Sequence, residues 1–106
     1  MIPHIKILVD RNEGKAVPDG KILETIDAYV EEINNGATSV GPIGQHELLL
    51  GLRLAKKQGR LISKDELRVV DVESGNYEVV DARGRLGDWP DWVPGTVGDK
   101  LLVKIL

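Results

Sequence analysis

Apolar and polar positions alternate along "HIKILVD", residues 4–10, which puts Ile5, Ile7 and Val9 on one face and His4, Lys6 and Leu8 on the other. A period of two predicts a first strand with one buried face. The stretch that follows, "DRNEGKAVPDG", is made of turn and cap formers and reads as a loop, with Asp19 placed after Pro18 to cap a helix. Over residues 20–35 the period changes. Ile22, Ile26, Tyr29, Val30 and Ile33 recur at three- and four-residue spacing, while Glu24, Asp27, Glu31 and Glu32 fall elsewhere on the wheel. This pattern predicts an amphipathic helix, and Gly36 supplies its stop.

"GATSVGPIG" reads as a second loop, with Pro42 suited to the first turn of another helix. That second helix, "GQHELLLGLRLAKKQG", is the strongest apolar segment of the chain. Leu48, Leu49, Leu52 and Ala55 form one stripe, Leu50 and Leu54 widen it, and Gly59 stands where the helix would end. A stripe so wide implies burial on more than one side. Lys56 and Lys57 in the last turn complement the negative end of the helix dipole, so their charge has a structural explanation.

"SKDE", residues 63–66, has capping-box spacing but leaves room only for a short turn before two β-branched runs, "LRVVDVE" and "YEVVDA". Joined by "SGN", these predict an antiparallel hairpin whose register the pattern leaves open. "RGRLGDWPDWVPGTVGD" is broken by glycine and proline, and "KLLVKIL" reads as a closing strand. The expected fold is α+β: a small, largely antiparallel sheet with two helices packed on one face.

The 106 residues are the length of one domain, 1–106, which should bury roughly two-thirds of its unfolded surface. A net charge of -3, with cations interleaved among acids, argues against a nucleic-acid partner. No apolar run approaches the ~20 residues that a bilayer requires, and the first residues do not form a signal peptide. Together with the absence of cysteine, which removes disulfides and thiolate chemistry, this makes the expected setting a reducing cytoplasm.

Candidate chemistry is sparse. Asp10 and Glu13 lie just beyond the first strand, where carboxylates gather around Mg²⁺ in many mixed folds, but any solvated loop also offers two acids at that spacing. No metal or cofactor is otherwise expected. His46 and His4 lack zinc-site spacing, and no serine stands in a nucleophile context. "GATSVGPIG" departs from the phosphate-loop pattern, since Gln45 stands where lysine would follow Gly44.

Residues 47–90, "ELLLGLRLAKKQGRLISKDELRVVDVESGNYEVVDARGRLGDWP", resemble the end of bacterial ABC/AAA-type ATPases of the RecF and overcoming-lysogenization-defect kind. In that family a leucine-rich helix is followed by a "G-x-L-S-x-E-D" turn, two strands and a "G-x-[IL]-x-x-W-P" tail. Residues 48–52, 59–66 and 84–90 stand in those places. The family's switch histidine would fall near Gly44, and its nucleotide-binding motifs have no counterpart here. The resemblance therefore implies a detached module, a shortened relative or an accessory piece of an ATPase system, not an ATPase.

Both tryptophans of the chain lie in the tail, and there is no phenylalanine. Trp89, followed by Pro90, suits a cap on the open end of a core; Trp92, between Asp91 and Pro94, suits an anchor for a partner. The expected function is a non-enzymatic binding or assembly module. It would self-associate as a homo-oligomer, or dock on a larger protein, through Trp89, Pro90 and Trp92 with Leu50 and Leu54 of the second helix. The alternative is a small metal-dependent enzyme or ligand-binding protein that uses the Asp10 and Glu13 loop.

Overall fold

The computed structural model describes residues 2–10 and 12–84. The chain forms β1 (His4–Val9), a 3₁₀ turn (Asp19–Lys21), α1 (Ile22–Asn34), β2 (Ser39–Ile43), α2 (His46–Lys57), β3 (Glu66–Asp71) and β4 (Tyr77–Val80). The strands make one sheet in the order β2-β1-β3-β4. The closing strand expected from "KLLVKIL" lies outside the described residues.

The alternation in β1 works as the pattern predicts: Ile5, Ile7 and Val9 are buried, and the residues between them are not. Register carries this face across the sheet. Ile5 pairs with Leu67 and Ile7 with Val69 on β3, and Ile7 pairs with Val40 on β2. Ile26, Val30 and Ile33 of α1 and Leu48, Leu49, Leu52 and Ala55 of α2 pack on these side chains as one continuous core. The fold is thus α+β with both helices against one face of the sheet. Burying a side chain such as Ile7 completely contributes roughly 1.5–3 kcal/mol relative to leaving it exposed.

The sheet is mixed rather than largely antiparallel. β1 pairs in parallel with both β2 and β3, and only β3 and β4 run antiparallel. The second loop of the sequence is itself a strand, β2, and Pro42 lies within it rather than in a helical first turn. An edge strand tolerates proline because one of its sides has no ladder to donate to. With β1 in the middle, α1 crosses to one side of it and α2 crosses back to the other over the same face. The two crossovers therefore have opposite hands, and one departs from the usual right-handed rule.

Both helices end as read. Gly36 and Gly59 have φ of 103° and 73°. The N–H of Ala37 donates to the carbonyl of Glu32, and that of Arg60 to Ala55, the long bond of a Schellman stop in each case. The start of α1 differs from expectation, since Asp19 opens the 3₁₀ turn and the residue before the helix is Lys21, with no side-chain cap. The helices meet where Gly51 faces Ile26: a Cβ on Gly51 would stand 2.1 Å from Ile26 Cδ1. Asn34 ties the end of α1 to the α2–β3 connection, donating to the carbonyl of Arg60 and accepting from the N–H of Ile62.

Candidate functional site

The loop after β1 is held by its own acid. Asp10 Oδ1 accepts from the backbone N–H of Asn12 at 2.9 Å and of Glu13 at 3.1 Å. Beyond it the chain presses against the end of β2, where Gly14 and Gly44 cross with no room for a side chain: a Cβ on Gly14 would lie 2.3 Å from Gly44 N. Lys15 N–H donates to the carbonyl of Pro42, and Gly44 N–H to that of Lys15. The Gln45 amide then clasps Val17, accepting from its N–H and donating to its carbonyl. This strap shields the end of an edge strand. It also explains the polar, glycine-bearing sequence on structural grounds.

Asn12 reaches across to the carboxylate of Glu73 in the β3–β4 turn. There the buried Asp71 accepts from the Glu73 N–H and the Ser74 hydroxyl, closing the hairpin. Acids thus collect at the end of the parallel strands, yet among the described residues no group of three or more His, Asp or Glu is placed to hold a metal ion. Glu13 is exposed. Its neighbourhood is a cleft of about 770 Å³ beside β2, lined among others by Glu13, Lys15, Tyr29, Glu32, Ser39 and Pro42. Burial pushes the Tyr29 phenol above its ordinary pKa, and the nearby Glu32 carboxylate adds to the effect.

The second feature is the face of the sheet away from the helices. Register places Leu8, Val70 and Tyr77 in one row across β1, β3 and β4, and Lys6, Arg68 and Val79 in the next. Tyr77 is 49% exposed and Val79 38%. Arg68 lies over the Tyr77 ring, 4.5 Å from its centroid, and its Nε donates to Glu66. This ordered polar and aromatic surface crosses strands that run parallel, an arrangement normally covered on both faces. The sequence carried its signal in the polar-side alternation of β1 and β3, but only the register assembles the rows.

Two of the residues expected at a partner surface are among those described. Leu50 is 0% exposed and Leu54 half-buried, both on α2. Trp89, Pro90 and Trp92 lie outside the described residues. His46 is buried in the first turn of α2. Arg53, also buried, donates from Nε to the carbonyl of Gly84 at 2.8 Å. Burial lowers its pKa and the Asp81 carboxylate opposes that shift. Among the described residues no helix is long and apolar enough to cross a membrane.

Compared with known proteins, the chain matches no family model, no curated protein and no solved structure.

Proposed function

We propose that this chain is a non-enzymatic binding module that docks on another protein chain through the open face of its sheet, the partner being a second copy or a larger protein. The observation that carries this reading is the face of the sheet away from the helices, where among the described residues Tyr77 and Val79 of β4 are exposed beside the half-buried Leu8 and Val70 of the parallel strands. Covering such a face removes apolar surface from water, and Arg68, over the Tyr77 ring and paired with Glu66, supplies polar groups beside it. The sequence resemblance makes an ATPase system the expected setting of a larger partner, in the reducing cytoplasm.

The test compares Tyr77→Glu with Leu23→Glu, the latter on the exposed side of α1 where Leu23 is 75% exposed. Sedimentation of the purified chain reads self-association, and size fractionation of native lysate reads a heteromeric complex. The reading predicts an assembly that Tyr77→Glu abolishes and Leu23→Glu retains. A monomer under both conditions, or an assembly that both variants keep, overturns it.

The alternative, a ligand or metal at the Asp10 and Glu13 loop, is favoured by one observation, the cleft that Glu13 and Lys15 line. A ligand of the folded state raises the melting midpoint. Docking through the sheet predicts an unmoved midpoint with Mg²⁺, Mn²⁺ or Zn²⁺; a rise that Glu13→Gln removes would favour the alternative.

A further inference from the structure

Among the buried residues of α1 only Tyr29 carries a polar side-chain atom, and it is 8% exposed. Its hydroxyl has no hydrogen-bond partner among the described residues. A tyrosine buried so far normally finds one. Tyr29 instead borders open space: it lines the cleft of about 770 Å³ beside β2 and an adjoining hollow of about 400 Å³ toward the start of α1. Lys15 and Glu32 line both as well, so these three side chains stand where the two hollows adjoin. Burial, and after it the Glu32 carboxylate, raises the phenol pKa, so at neutral pH the hydroxyl keeps its proton and is a donor.

The opposite wall is an edge of the sheet. β2 ends the strand order, and the strap covers only its far end, where the Lys15 N–H donates to the carbonyl of Pro42 and the Gly44 N–H to that of Lys15. Before that point the edge borders the cleft through Ser39. The Lys6 N–H donates to the carbonyl of Thr38, so the register that sets Lys6 beside Ser39 turns the Ser39 N–H and carbonyl away from β1. Charge completes the lining. Glu13, Glu32 and Lys15 are all exposed around the cleft, and Lys15 forms an ion pair with neither acid.

We propose that the cleft between α1 and the β2 edge binds a small zwitterion of the amino-acid or dipeptide class, with its ammonium group toward Glu13 and Glu32, its carboxylate toward Lys15, and a hydrogen bond to the Tyr29 hydroxyl. A simple cation would meet Lys15, and a simple anion would meet two carboxylates. A molecule that carries both charges complements each. The volume lies within the range of small-ligand sites, roughly 300–1,000 Å³. The Ser39 edge adds a main-chain donor and acceptor of the kind that an extended peptide unit pairs with. The site goes beyond docking through the sheet and is independent of it, because the cleft lies at the β2 edge and not on the open face.

The test is a thermal melt of the full chain with a panel of the free amino acids and simple dipeptides at millimolar concentration, followed by calorimetric titration of each compound that raises the midpoint. At least one should raise it. Tyr29→Phe, which keeps the ring and removes only the hydroxyl, should weaken that compound roughly tenfold. Lys15→Met and Glu32→Gln should each weaken it by roughly tenfold or more, because a charged contact is lost. Lys64→Met, an exposed lysine outside the lining, should leave the affinity unchanged. The same compound acetylated at its amine or amidated at its carboxyl should bind far more weakly.

A panel that leaves the midpoint unmoved overturns the proposal. So does binding that Tyr29→Phe and Lys15→Met both retain, which would place the compound elsewhere. Equal binding of the acetylated or amidated form overturns the assignment to a zwitterion.

Discussion

At the scale of single residues, the tightest constraint is the crossing of Gly14 and Gly44. Any side chain at residue 14 must displace backbone of residues 43 and 44, so Gly14→Ala should destabilise the fold by about 3 kcal/mol. Gly20, which has open space around it, is the control; there Gly→Ala should be near neutral in the same urea titration. Tyr29 makes a prediction in pH. Its folded pKa is raised, first by burial and then by Glu32, so the folded state holds the phenolic proton after the unfolded chain has lost it. The associated stability is present below the ordinary tyrosine value of about 10 and is lost as pH rises through the raised value. Urea unfolding of Tyr29→Phe should therefore show a shallower alkaline decline than the parent.

At the scale of elements, α1 and α2 were legible because their apolar spacing is unambiguous and each stops at a glycine that supplies a positive φ. β2 was not legible. "SVGPI" carries glycine and proline, whose local preference is for turns, and it becomes a strand only because β1 and the strap through Lys15 flank it. Strand direction was hidden for a different reason. Parallel strands usually read as continuous apolar runs because both faces are covered, but β1 and β3 alternate, fully buried residues on one face and mostly half-buried ones on the other. Alternation records the burial of one face and carries no direction. The Gly51–Ile26 contact offers a test of helix packing. Gly51→Ala gains helix propensity of about 1 kcal/mol but pushes Cβ into Ile26 Cδ1, a clash of roughly 1–3 kcal/mol. Ile26→Val deletes that carbon, so Gly51→Ala should cost markedly less stability in the Ile26→Val background than alone.

At the scale of the molecule, the sequence supplied the α+β class and the side of the sheet that forms the core. The open face had to wait for register, because Leu8, Val70, Tyr77 and Val79 are scattered along the chain and become neighbours only through strand pairing. The acids at residues 10 and 13 were visible as a candidate site; the structure gives Asp10 a role in its own loop and leaves Glu13 at the rim of a cleft. The most direct test of docking through the sheet is hydroxyl-radical footprinting of the native assembly against the isolated chain, read at Tyr77 with Leu23 as the reference. Docking predicts strong protection of Tyr77 in the assembly and equal modification of Leu23 in both samples. Equal modification of Tyr77 in both would contradict it.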